Sequence, residues 1–259
     1  MNIDESNIIS YRLLLESAVD WKKKIFHEKE FFDFIFKKSR TKTLLDLRSG
    51  SGQYIFSLYG IYSTAIGVDS DSFLIENALR KSEDFPGTTF INSSFNKLLD
   101  ELNSKKLPKL FDTILLLNNS LSSIINQDNI IDYLRQIHDL ISSNGVLIIS
   151  TFNYNKLMKY QDYEFTSQKF YHLENLYMLT RNMKILDEDL ISYSANIYDS
   201  AGHIVHEHKE LQFPLTKKRI IDFLEKAGFS DIEFYGDFSF SDFNVDDSKK
   251  IILVAHKKS

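Results

Sequence analysis

At 259 residues, with 43% hydrophobic and 14% aromatic residues, the chain can bury a sizeable core and lacks the profile of a disordered chain. A formal net charge of −5 argues against polyanion binding, so no nucleic-acid partner is expected. The absence of cysteine removes disulfides, Cys-zinc sites and thiol nucleophiles together.

The opening MNIDESNIIS has no basic segment followed by an apolar one, and the longest apolar runs are far too short for a bilayer. A cytoplasmic protein with no membrane partner is expected. Residues 5 to 40 read as helices, a cap over residues 1–40: Ile9, Leu13 and Ala18, then Phe26, Phe32, Ile35 and Phe36, form loose helical stripes. The lysine run Lys22 to Lys24 reads as a solvated helix end. From Thr43 strands and helices alternate, and residues 41–154 form the expected core. Buried-strand runs are Thr43 to Leu47, Ser63 to Asp69, Thr88 to Asn92, Phe111 to Leu117 and Gly145 to Ser150. The strongest helix precedes the last of these, with Asp128 as its expected N-cap, Ile130, Leu134, Ile137 and Ile141 at helical spacing, and Gly145 beyond its end. Apolar strands separated by helices imply a parallel sheet covered on both faces.

Residues 155 to 213 break that rhythm. They are rich in Tyr, Asp and His and alternate over long segments, which predicts an antiparallel insertion with a turn at Asp199 to Gly202. The core resumes over 214–259 with a helix from Thr216 to Ala227 and strands at Ile232 to Tyr235 and Ile251 to Ala255. A polar loop joins those two strands, so they are most simply antiparallel.

The most informative segment is Leu45-Asp46-Leu47-Arg48-Ser49-Gly50-Ser51-Gly52. A strand ending in Gly-x-Gly and opening into a helix brings backbone N–H groups close to a ligand, although a chance Gly-Ser-Gly loop looks the same. Asp69 ends the second strand, where a carboxylate can accept hydrogen bonds from both ribose hydroxyls of a nucleoside. Asn118-Asn119-Ser120 ends the fourth strand, on the edge where open α/β sheets bind ligands. A dinucleotide site needs a third glycine three residues after the second; that position is Ile55, which argues against NAD.

With these residues in view, the chain resembles the class I S-adenosylmethionine-dependent methyltransferases, in particular the small-molecule, glycine N-methyltransferase-like group. Asp46, Gly50 and Gly52 match the acidic Gly-x-Gly motif, Asp69 the second-strand acid, and Ser143-Asn144-Gly145 the turn before the fifth strand. Asn118-Asn119-Ser120-Leu121, Phe152-Asn153-Tyr154, Asp20-Trp21 and Tyr235 to Phe238 resemble that narrower group. The resemblance implies a Rossmann-like seven-stranded sheet with an antiparallel last strand. It also implies S-adenosylmethionine as cofactor, S-adenosylhomocysteine as product, and methyl transfer to nitrogen or oxygen of a small polar metabolite. The implied cofactor-binding residues are Asp46, Arg48, Gly50, Gly52, Asp69, Ser70, Ser94, Phe95, Asn118 and Asn119. In two places the chain departs from the pattern: Arg48 stands where Gly or Ala is usual, and Ser94 where an Asp commonly contacts the adenine amine. A non-catalytic relative, or a methyltransferase acting on protein or RNA, is the alternative.

Methyl transfer from a sulfonium needs positioning and exclusion of water more than a fixed catalytic constellation. The insertion is the expected roof of the acceptor site, with Tyr171, His172 and Arg181 facing the acceptor above Tyr154. Arg181 could pair with a carboxylate or phosphate there, or with a surface acid. His206 and His208 share a strand face, without an obvious third metal ligand, and read as solvated; no metal is expected. Monomer or homodimer is left open.

Overall fold

A continuous apolar strand cannot face water on either side, and here five such strands are interleaved with helices that bury one stripe each. The computed structural model describes residues 11–257; Ile9 lies outside them. Two N-terminal helices, α1 (Tyr11–Ser17) and α2 (Trp21–Lys38), lead into β1 (Thr43–Leu47), α3 (Gln53–Ser57), β2 (Thr64–Asp69), α4 (Ser72–Ser82) and β3 (Thr88–Asn92). Then come α5 (Leu98–Ser104), β4 (Phe111–Leu116), α6 (Gln127–Leu140), β5 (Ile141–Phe152) and α7 (Tyr154–Leu157). The insertion is β6 (Asp162–His172), β7 (Asn175–Ile185), β8 (Ile191–Tyr198) and β9 (Ile204–Gln212). The chain closes with α8 (Lys217–Lys226), β10 (Phe229–Tyr235) and β11 (Lys250–Lys257).

The main sheet has seven strands in the order β10-β11-β5-β4-β1-β2-β3, and β11 runs antiparallel to both of its neighbours. The reversed last strand is therefore as the sequence implies. Strands β6 to β9 form a separate four-stranded antiparallel meander.

Helix α6 buries Ile130, Ile131, Leu134, Ile137 and Leu140, each fully buried side chain worth about 1.5–3 kcal/mol. Its N-cap is Asn126, whose side chain accepts from the Asn129 N–H, and not Asp128, which lies in the first turn. On the opposite face of the sheet, α2 buries Phe31, Phe32, Ile35 and Phe36, and both Phe31 and Phe32 pack on Phe238 with ring centroids 5.3 Å apart. Phe26, expected on the apolar stripe, is 79% exposed. The stripe runs instead through Ile25, Glu28 and Phe32, which carries polar side chains inward with the apolar ones.

Helix α1 packs on the insertion rather than on the main sheet, with Leu14 and Ala18 against Phe170, Leu179, Ala195 and Ile197. The N-terminal segment thus touches both the insertion and the loop after β1.

Candidate active site

The turn after β1 is built from left-handed residues. Gly50 (φ +57°) and Gly52 (φ +79°) adopt backbone that side chains rarely tolerate, and Gly52 is the N-cap of α3. A Cβ on Gly52 would lie 2.6 Å from the Phe90 ring, and one on Gly50 would strike the Glu16 carboxylate. Asp69, 2% exposed, shapes the turn: Oδ2 accepts from the Gly50 N–H at 3.0 Å and Oδ1 from the Asp71 N–H at 3.0 Å. Glu16 of α1 reaches the same turn. It accepts from the Ser51 N–H at 2.9 Å and from the Ser51 hydroxyl.

Beneath the turn lies Asp46, 2% exposed, whose Oδ2 has no hydrogen-bond partner among the described residues. Burial, reinforced by the nearby Asp69 charge, pushes its carboxyl up to about 8. Lys24 faces it from α2. Its ammonium lies over the rings of Trp21 and Tyr54, at 4.6 and 4.7 Å, and donates to the Tyr54 hydroxyl at 2.5 Å and to Asn118 Oδ1 at 3.0 Å. Burial lowers Lys24 to about 8. The Tyr54 hydroxyl donates to Glu28 Oε2 at 2.9 Å, and burial raises the Glu28 carboxyl. The expectation of a solvated end for Lys24 is therefore corrected: at i and i+4, Lys24 and Glu28 share the inward stripe of α2. Lys24 and Glu28 are hidden in the sequence because charge reads as exposure; their helical spacing from Trp21 to Phe32 is the available signal. Tyr54, on α3, carries no such signal.

Beyond β4, Asn118 (φ +56°) and Asn119 (φ +65°) are both left-handed, a conformation Asn tolerates better than most residues. Asn119 Oδ1 accepts from the Thr151 hydroxyl at 2.5 Å, while Nδ2 donates to the Tyr154 hydroxyl at 2.9 Å and to Gln212 Oε1 at 3.2 Å. Tyr154 is fully buried and its hydroxyl lies 2.9 Å from Gln212 Oε1. Burial raises that phenol far above its ordinary range.

The register of the meander sorts its side chains. Tyr193 and Ala195 of β8 pair with Met183 and Arg181 of β7 and with Glu210 and His208 of β9. These share the inner face with Phe165, the cross-strand partner of Arg181. The Arg181 guanidinium lies over the Phe165 ring at 5.4 Å, and its buried Nε has no hydrogen-bond partner among the described residues. Two expected roof residues are displaced. Tyr171 falls on the outer face and is 69% exposed. His172 is on the inner face, but at the α1 end, where its Nδ1 lies 2.7 Å from the Ser17 hydroxyl.

Among the other sequence-derived residues, Ser70 and Ser94 are exposed at the ends of β2 and β3. Phe95 packs on Tyr133 with centroids 4.0 Å apart. Arg48 (φ +60°) turns its guanidinium to the Ser120 carbonyl at 3.1 Å and to the Ser123 hydroxyl, tying the loop after β1 to that after β4. His206 and His208 are partly buried on the inner face rather than solvated, and His208 Nε2 lies 3.3 Å from Glu210. No group of three ligating side chains suited to a metal occurs among the described residues.

A family model described as a methyltransferase domain matches residues 38–228. The chain belongs to that family. This methyltransferase is 24% identical over 250 residues to a glycine/sarcosine N-methyltransferase of Aphanothece halophytica, covering 93% of this chain and 86% of that one. Its fold is similar to that of an S-adenosylmethionine-dependent methyltransferase from Clostridium acetobutylicum, with a TM-score of 0.71, 17% identity and 96% of each chain covered. It is also similar to a sugar N-methyltransferase from Streptoalloteichus, with a TM-score of 0.69, 15% identity, 100% of this chain and 99% of that one covered. With its sheet order and reversed β11, the methyltransferase has the class I fold. No described helix is long and apolar enough to cross a membrane.

Proposed function

We propose that this methyltransferase binds its donor on the carboxyl edge of β1, β2 and β4, and a small acceptor between that edge and the inner face of β6–β9. The observation that carries the donor site is the orphaned, buried Asp46 oxygen beside Lys24 and the Gly50–Gly52 turn. An unpartnered buried acceptor costs about 1–3 kcal/mol, so a cationic or donor group of a ligand is its natural complement. The residues fit the group: Asp46 suits the donor's ammonium, Lys24 its carboxylate, and Asp69, a buried carboxylate at the end of β2, the ribose hydroxyls. When bound, S-adenosylmethionine supplies a methyl group already activated on sulfur. The chain's contribution is to orient, to exclude water and to hold the acceptor in line.

On the acceptor side, Arg181 supports an anionic group on the substrate, because its buried Nε is unpartnered and its face rests on Phe165. The relative from Aphanothece halophytica is a glycine/sarcosine N-methyltransferase, and such carboxylated amines suit a site of this charge. Calorimetry tests the donor half: S-adenosylmethionine and S-adenosylhomocysteine should bind and NAD should not, with Lys24→Met weakening both at least about tenfold. Preferential binding of NAD would overturn the assignment.

A further inference from the structure

An unbroken polar path leads away from the donor edge along β9, and nothing so far accounts for it. Tyr154 and Asn119 meet Gln212 Oε1 at 2.9 and 3.2 Å. Gln212 Nε2 then donates to Glu210 Oε1 at 2.5 Å, and Glu210 Oε2 lies 3.3 Å from His208 Nε2. Gln212, Glu210 and His208 are alternate residues of one strand, so they share a face and step along it at about 7 Å per pair. Their partners on β8 are Ile191, Tyr193 and Ala195. Ile191 and Ala195 are buried, so β8 packs its inner face while β9 turns acid and imidazole to the same side.

A solvated edge strand would explain exposed polar residues, but not these. Gln212 is 3% exposed, and Glu210 lies close enough to raise both the Tyr154 and the Tyr193 phenols. Arg181 pairs with Ala195 on the far side of β8, so cation and anion are held across one strand.

We propose that Glu210, backed by His208, receives the acceptor's nitrogen as an ammonium and takes its proton. This rests on the acceptor site described above. An alkyl ammonium has no free electron pair, and its ordinary pKa of about 10 leaves few molecules neutral at pH 7. The N–H proton passes to Glu210 while its bonding pair stays on nitrogen. That pair then forms the N–C bond to the methyl carbon as the C–S bond breaks and its electrons go to sulfur. His208, a third exposed, hands the proton on to solvent. The titratable or charged groups facing Glu210 are His208 on β9, Tyr193 on β8, Arg181 on β7 and Tyr154 on α7, with His206 one step further along β9.

The test compares wild type, Glu210→Gln and Glu210→Asp on glycine, sarcosine and β-alanine and on their hydroxy counterparts, from pH 6 to 9.5. Wild type should methylate an amine and not its hydroxy counterpart. Glu210→Gln should lose at least about a hundredfold in kcat/KM at pH 7 and recover about tenfold per pH unit as free amine accumulates; Glu210→Asp should restore part of the loss. Calorimetry of the same amines on the S-adenosylhomocysteine complex should show binding at least about tenfold weaker in Glu210→Gln, with S-adenosylhomocysteine affinity unchanged. A wild-type pH profile and wild-type amine binding in Glu210→Gln would overturn the proposal, as would faster methylation of the hydroxy compounds. Failure of the wild type to bind S-adenosylhomocysteine would instead overturn the donor site on which it rests.

Discussion

The Glu16 carboxylate and Ser51 are joined twice, through the backbone N–H at 2.9 Å and through the hydroxyl. One acid on α1 thus holds the turn that carries Gly50 and Gly52. Hydrogen bonds to charged groups are worth about 1.5–3 kcal/mol. Glu16→Gln should therefore loosen α1 over the turn and speed release of S-adenosylhomocysteine at least about tenfold. Stopped-flow displacement measures this, and an unchanged rate would mean that α1 does not cover the donor.

Asp46 gives stability a pH dependence of definite sign. Its folded pKa is raised to about 8, against about 4 unfolded. Below pH 4 both states hold the proton and the contribution is complete. Between about 4 and 8 the unfolded chain releases its proton first, so stability falls as pH rises through that window. Asp46→Asn removes the effect. Its Tm should match wild type near pH 4.5 and exceed it by several degrees at pH 8, about 1 kcal/mol giving about 2–4 °C in a chain of this size. Calorimetric scans at the two pH values decide the matter.

Asp69 is expected to hold the ribose. Asp69→Ala removes a charged acceptor and should cost about 2–3 kcal/mol of S-adenosylmethionine affinity. Because Asp69 also takes the Gly50 N–H, Asp69→Asn is the companion variant: it should keep the turn and still bind more weakly. Wild-type affinity in both would place the ribose elsewhere.

Arg181 and Tyr171 separate the two faces of the meander. Arg181→Met should reduce acceptor turnover at least about tenfold, about 1.4 kcal/mol, with donor affinity nearly unchanged. Tyr171→Ala, on the exposed outer face, should leave both intact. Steady-state kinetics on the two variants would reverse the assignment of faces if the order were opposite.

Much of the fold was legible because its signals are local. The Thr88 to Asn92 strand, the Gly50 and Gly52 turn and the polar Asn118-Asn119 strand end announce themselves over a few residues. The loop joining the last two strands predicted their antiparallel pairing, which β10 and β11 show. The acceptor face was less legible because it depends on register. Tyr171 and His172 are adjacent in sequence, so one had to point out, and a bulge between Phe165 and Gln168 shifts the inward set by one residue. Lys24 and Glu28 were hidden for another reason: a buried ion pair has the composition of a surface.

The chain leaves the main sheet near Asn155 and returns near Lys217, and those two ends are fastened to each other, the Lys217 N–H donating to Asn155 Oδ1 at 2.9 Å. Phe213 is likewise pinned to the Ser122 carbonyl at 2.7 Å. The meander therefore departs and rejoins at a single point, like a cassette in a slot. With the acceptor site proposed above, exchanging it between relatives should alter which substrate is met while leaving the strand order beneath it untouched, a route by which substrate choice would diversify without refolding the main sheet.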